Sequence, residues 1–250
     1  MITIKTPNEI KIMVEGGKIL SGIMARLEKE IKPGKKTSEL DRLAESLVLE
    51  SGGTCSFKGY DGFPACLCVS INEQVVHGLP SERILKNGDL VSLDLGLFYK
   101  GFHTDMAFTV AAGKTSPLAK KLIAVTRKAL EIAKKQVKPG KRLGDISQAI
   151  QNYVEKNGFN VVRELCGHGI GRQLHEEPQI LNFIGKDYGG DENIILKEGM
   201  TICIEPMVTV GDWKLKKSKD GYETKDNSLS CHFEQTIIVT KNDHKVLTNF

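Results

Sequence analysis

Lys32-Pro33-Gly34-Lys35-Lys36 returns as Lys138-Pro139-Gly140-Lys141-Arg142, displaced by 106 residues. The displacement holds on both sides of the motif. Ile19, Met24 and Ile31 fall on Val125, Leu130 and Val137, while Leu40, Leu47, Val48 and Gly52 fall on Ile146, Tyr153, Val154 and Gly158. Each half therefore reads as a helix, a Lys-Pro-Gly turn, a second helix, a glycine stop and then strands. Leu40, Leu43 and Leu47 with Ala44 and Val48 make one apolar face at helical spacing, and Ile146, Ile150 and Tyr153 with Ala149 and Val154 make another. Thr37 or Ser38 and Asp145 are the expected caps. Strand-rich segments follow at about 66–112 and 160–240. A duplication of this kind predicts an α+β fold with pseudo-two-fold symmetry. Residues 1–250 form a single domain from two related halves, about 1–115 and 116–250, with the sheet halves joined and the helices packed on one side. The seam between such halves is a usual place for a cleft.

The size of the chain, 250 residues, suffices for a large core. No stretch approaches the roughly 20 uninterrupted apolar residues of a membrane helix, and the N-terminus has no signal-peptide pattern, so a cytoplasmic protein without membrane contact is expected. Six scattered cysteines, at 55, 66, 68, 166, 203 and 231, read as reduced thiols in a chain too large to need staples. The single-residue spacing of Cys66 and Cys68 matches neither a zinc knuckle nor a redox pair. Net charge is a mild +4, and part of the basic surplus is local: Lys214, Lys216, Lys217 and Lys219 read as a solvated loop, or as a contact for an acidic partner such as RNA.

Two apolar runs, Val91–Leu97 and Met106–Ala112, carry or adjoin carboxylates where strands should be buried: Asp94 lies inside the first and Asp105 directly precedes the second. A tight turn centred on Tyr99 and Lys100 makes the runs a hairpin and sets Asp94 directly opposite Asp105, an arrangement that requires a cation between them. Later segments add Gly167-His168-Gly169-Ile170-Gly171, then Glu205 inside Thr201–Val208 and Glu234 inside Cys231–Thr240. A lone buried glutamate is costly, whereas four strand carboxylates and one imidazole form a set of hard donors suited to manganese, iron, cobalt or zinc. Four negative charges are balanced by two divalent ions. The three glycines at 167, 169 and 171 do not have dinucleotide-loop spacing and serve instead to turn His168 inward. His77 reads as a satisfied turn histidine, and His103 and His244 as surface or turn residues. The chain has no His-Glu-x-x-His helix, P-loop or Gly-x-Ser-x-Gly elbow.

Asp94, Asp105, His168, Glu205 and Glu234 occur together with Ser70-Ile71-Asn72-Glu73, His77-Gly78-Leu79-Pro80, the His168 glycine segment and His175-Glu176-Glu177-Pro178. In this combination the chain closely resembles type I methionine aminopeptidase over nearly its whole length. The resemblance implies the duplicated pita-bread fold, a curved antiparallel sheet with helices on its outer side. It also implies two divalent ions (Co, Mn, Fe or Zn), with Asp94 on one, Asp105 and Glu234 bridging, and His168 and Glu205 on the other. By the same resemblance, His77, His175 and Glu205 are catalytic, and Tyr60, Phe63 and Cys68 receive the methionine side chain. The implied activity is metal-dependent removal of N-terminal methionine from nascent polypeptides whose second residue is small. A monomer with transient ribosome contact is the implied state.

Departures from the family pattern are Gln235, where histidine is usual, His232, where glutamine is common, and Leu174, where an aromatic is usual. By strand alternation His232 points toward the site. The alternatives are a Xaa-Pro peptidase of the same fold and a non-catalytic pita-bread binding protein.

Overall fold

A computed structural model of the chain describes residues 1–185 and 191–249. Its helices are α1 (Pro7–Glu28), α2 (Thr37–Glu50), α3 (Pro117–Lys134) and α4 (Leu143–Lys156). The first half contributes β1 (Thr54–Cys55), β2 (Cys68–Ile71), β3 (Gln74–Val76), β4 (Leu90–Tyr99) and β5 (Phe102–Ala111). The second contributes β6 (Asn160–Val161), β7 (Gly167–Gly169), β8 (Glu176–Ile180), β9 (Thr201–Ile204) and β10 (Met207–Thr209). It continues with β11 (Leu215–Ser218), β12 (Gly221–Thr224), β13 (Ser230–His232), β14 (Glu234–Val239) and β15 (His244–Val246).

The repeat governs the helices: α2 and α4 begin and end 106 residues apart. Their caps also correspond: Asp145 caps α4 as expected, whereas in α2 the role falls to Glu39 and not to Thr37 or Ser38. The carboxylate of Glu39 accepts from the Lys36 N–H at 3.0 Å, and that of Asp145 accepts from the Arg142 N–H at 3.0 Å. Both acids thus sit at the third helical position and reach back to satisfy a free backbone donor. Thr37 is the first helical residue instead, and its hydroxyl pairs with the Ser81 backbone.

β1, β4, β5, β14, β9, β7 and β8 lie side by side in a nine-stranded antiparallel sheet, with β2 on β4 and β15 on β14. Two three-stranded sheets, β13-β10-β6 and β11-β12-β3, flank it. The β5–β14 pair joins the halves. Alternation along the strands sorts the two faces. Val91, Leu93, Leu95, Leu97, Met106, Phe108, Ile202, Ile204 and Ile237 belong to the main core with Leu122, Leu130, Ile146 and Ile150 of α3 and α4. Truncating one such leucine to alanine typically costs about 2–5 kcal/mol. Asp94, Asp105, Cys203 and Glu234 stand on the other face.

The hairpin register differs from the expected one. Tyr99 pairs with Phe102, so the loop is Lys100-Gly101, and Asp94 stands opposite Ala107 while Asp105 stands opposite Gly96. Both loop residues have left-handed φ, +48° and +89°. A two-residue turn of that kind favours glycine at its second position, which moves the turn one residue along. The aspartates become diagonal neighbours on one face.

The cysteines also differ. Cys55 and Cys66 form a disulfide, with Cα atoms 5.2 Å apart. Cys55 is held by the β1–β4 pairing, and Cys66 by its N–H bond to the Asp41 carboxylate at 2.9 Å. Cys68, Cys166, Cys203 and Cys231 are free thiols. His103 lies within β5 rather than on a surface turn, its Nδ1 2.9 Å from Ser56 Oγ, and burial pulls its pKa down to about 4. No helix among the described residues is long and apolar enough to cross a membrane.

Candidate active site

Two neighbouring rows of side chains on the inner face of the large sheet carry the acidic residues. Asp94 and Glu234 are both register partners of Ala107. Opposed residues point to the same face, so the three form one row, and the small alanine leaves space between two carboxylates. Asp105 lies two residues back along β5 and shares that face. Its N–H donates to Thr236 Oγ1 at 2.8 Å, and the Thr236 hydroxyl donates to the Asp105 carbonyl at 2.8 Å. Cys203 pairs with both Thr236 and His168, which extends the second row to β7. Glu205 follows β9 directly, its carbonyl accepting from Asn182 Nδ2 at 3.0 Å.

His168 Nδ1 lies 2.8 Å from the Gly169 carbonyl. A carbonyl only accepts, so this contact places the proton on Nδ1 and leaves the Nε2 lone pair facing the acids. Nε2 is 3.8 Å from Glu205 Oε1 and 3.8 Å from Glu234 Oε1. The glycines beside it serve close packing and not the expected backbone turn, since none has a left-handed φ: a side chain at Gly167 would strike the Cys203 carbonyl, and one at Gly169 the Glu177 carbonyl.

Burial, then mutual repulsion, pushes the Asp94, Glu205 and Glu234 carboxyls well above their ordinary range. Burial raises Asp105 to about 7 and lowers His168 to about 3. Asp94 Oδ1 and Glu234 Oε1 are buried without a hydrogen-bond partner. Among the described residues three groups place donor atoms within 4.8 Å of one another: Asp94, Asp105 and Glu234; Glu205, His232 and Glu234; His168, Cys203 and Glu234. Buried anionic oxygens without partners, set beside a neutral imidazole lone pair, fit a divalent cation of the oxygen- and nitrogen-preferring kind. Glu234 is common to all three groups.

A cleft of about 880 Å³ opens over these rows, lined by all five donors and by Tyr60, Phe63, Cys68, His77 and His175. Every site residue expected from the sequence therefore lies in one place. Cys68 reaches it as the register partner of Asp94. His77 follows β3 with a left-handed φ of +59°, and it packs edge-on against Tyr222 at 5.7 Å. His175 Nδ1 is 2.9 Å from the Tyr60 hydroxyl, and its ring meets His168 edge-on at 4.5 Å. Burial lowers the pKa of both His77 and His175, favouring neutral rings. Glu176, beside His175, is anchored by Lys5 at 2.6 Å.

Sequence reasoning missed part of the wall. Lys217 and Lys219 are solvent-exposed as expected, but they stand on the β11–β12 hairpin and its turn and line the cleft with Tyr222. The repeated Lys-x-Lys pattern around a Ser-Lys-Asp-Gly turn was the available signal for a hairpin. The two departures next to Glu234 separate cleanly. Gln235 points to the helix side, accepting from Lys134 Nζ at 2.8 Å and donating to the Thr248 carbonyl at 2.7 Å. His232 points into the site, as alternation predicted, its Nε2 3.7 Å from Glu205 Oε2.

A curled antiparallel sheet duplicated about a seam, with acidic donors in its hollow and a histidine-walled cleft above them, defines the pita-bread class of metallohydrolases. The chain belongs to metallopeptidase family M24, whose model matches residues 11–241. It is 45% identical to methionine aminopeptidase of Clostridium perfringens, over 99% of both chains. A crystal structure of methionine aminopeptidase from Thermotoga maritima superposes with a TM-score of 0.95 at 44% identity and full coverage of both. Prolidase from Pyrococcus furiosus matches with a TM-score of 0.80 at 25% identity, but this chain spans only 65% of it.

Proposed function

We propose that the protein is a metal-dependent aminopeptidase that removes N-terminal methionine from nascent polypeptides and peptides, acting in the cytoplasm. The observation that carries this reading is the set of three donor groups that share Glu234 beneath a cleft walled by two neutral histidines. Asp94, Asp105, His168, Glu205 and Glu234 would hold two divalent ions, with Asp105 and Glu234 shared between them. Bound there, such ions supply the charge that polarises the scissile carbonyl and activates water for attack.

The chain's own residues do the rest. With the Tyr60 hydroxyl donating to Nδ1, the neutral His175 ring carries its proton on Nε2 and offers it to the oxygen on which negative charge develops. His77, on the opposite wall, holds the scissile amide. Glu205, ionised when it helps to hold an ion, is placed to take a proton from the attacking water and pass it to the leaving amine. Phe63, Cys68 and the Tyr60 ring present an apolar, polarisable surface suited to a thioether.

Peptides Met-Ala-Ser and Leu-Ala-Ser, incubated with manganese-, cobalt-, iron- or zinc-loaded protein, test the assignment. Methionine is expected to be released and leucine far more slowly. No methionine release with any of the four metals would reject it. Cleavage confined to Xaa-Pro peptides would assign the prolidase-like activity instead.

A further inference from the structure

His232 is buried, 1% exposed, and has no partner for either ring nitrogen. An imidazole so placed loses its hydrogen bonds to water without replacement, which a buried polar group seldom does without a reason. Its surroundings supply a reason. Nε2 lies 3.7 Å from Glu205 Oε2 and 3.9 Å from Glu234 Oε2. Those distances are too long for hydrogen bonds. His168 Nε2 faces the other oxygens, Oε1, of the same two carboxylates at 3.8 Å. The two imidazoles therefore flank one carboxylate pair at matching range. An ion with ligands at about 2.1 Å sets neighbouring donors roughly 3.0–3.4 Å apart, so each ring is within a few tenths of an ångström of shared coordination.

The backbone holds the ring in this direction. The His232 N–H donates to Thr109 Oγ1 at 2.9 Å, and the same hydroxyl is 2.8 Å from the His232 carbonyl and 2.7 Å from Ser92 Oγ. The clamping hydroxyls belong to β5 and β4 of the large sheet, whereas His232 ends β13 outside it, so His232 approaches the acids from a flank that His168 does not occupy.

We propose that His232 is a sixth protein ligand, its Nε2 binding the ion held by Glu205 and Glu234, so that the centre contains two imidazoles. This rests on the metal-centre reading above and deepens it. A second imidazole shifts the donor set toward zinc, iron or cobalt and away from manganese, which favours oxygen.

A crystal of the wild-type protein soaked in zinc, together with zinc-edge X-ray absorption of protein carrying two equivalents, tests this without any substitution. The expected result is His232 Nε2 at about 2.0–2.1 Å from an ion, with scattering from two imidazoles per chain. Glu205 and Glu234 holding an ion while His232 stands apart from it would overturn the proposal alone. An acidic hollow that takes up no ion would overturn the metal-centre reading as well. H232Q should weaken zinc binding at least about tenfold and remove one imidazole from the absorption spectrum. Its metal-free melting curve shows whether it folds. Folded H232Q with unchanged zinc affinity and imidazole count would contradict the assignment.

Discussion

Asp105 shows how one side chain can be both a liability and a requirement. Its carboxyl, raised to about 7 by burial, must ionise in the metal-free protein as pH rises, and nothing there neutralises it. Asp105→Asn should therefore melt above the wild type at pH 8 in EDTA, with the gap narrowing as pH falls below about 7 and closing near about pH 4. With metal the order reverses, and activity should fall at least about 100-fold because a shared donor is gone. Equal EDTA melting temperatures at pH 8 would contradict the burial argument, and near-normal turnover the bridging one. His175→Ala addresses a different link. It should lower kcat by about 10²–10³-fold, the range for loss of one oxyanion donor, while metal content stays the same. A parallel loss of metal would move His175 from substrate contact to site architecture. The donors were legible in the sequence because an acid inside an apolar run has no cheap structural explanation. The Tyr60–His175 bond was not, because it joins residues 115 apart and leaves no periodic trace.

At the scale of elements, the segment between Cys55 and Cys66 carries Tyr60 and Phe63 and includes Ser56, the partner of His103. Its disulfide closes a loop with a sequence separation of 11, for which chain entropy gives about 2–3 kcal/mol of stabilisation. Replacing both cysteines by serine should lower stability by that order in denaturant melts. It should also raise KM for methionyl peptides more than it lowers kcat, because the loop positions the pocket and not the acids. An unchanged KM would show that the loop is held by its other contacts. Cysteine spacing gave no hint of this bridge, since the two residues are brought together by the β1–β4 pairing and Asp41. The hairpin illustrates the same limit. The apolar runs located both strands, but the demand for left-handed φ at Lys100 and Gly101 set the register, and that demand is a property of the turn's geometry.

Across the whole molecule, the 106-residue repeat predicted the paired helices, and the sheet joined at β5–β14 follows from bringing two related halves edge to edge. The consequence is a hollow in which four carboxylates are collected from both halves, and this makes stability depend on pH and metal together. Asp94, Asp105, Glu205 and Glu234 all have folded pKa values above their unfolded ones, so their contribution is fully present below about pH 4 and lost as pH rises. For Asp105 that loss runs from about pH 4 and is nearly complete once pH passes about 7. His168 and His232 run the other way. Burial lowers both to about 3, so their contribution is present above 6.5 and lost as pH falls toward 3. Below 6.5 the two effects oppose each other; between 6.5 and 8 the carboxyls act without that opposition. The melting temperature in EDTA should therefore fall across pH 6.5–8. Divalent metal requires the ionised carboxylates, so it binds more tightly as pH rises and adds about 2.7 kcal/mol per site at 100 times Kd. Scanning calorimetry of EDTA-treated and zinc-loaded protein across this window should give curves that diverge with pH. Parallel curves would mean that the acidic rows and the ions are not competing for the same charge.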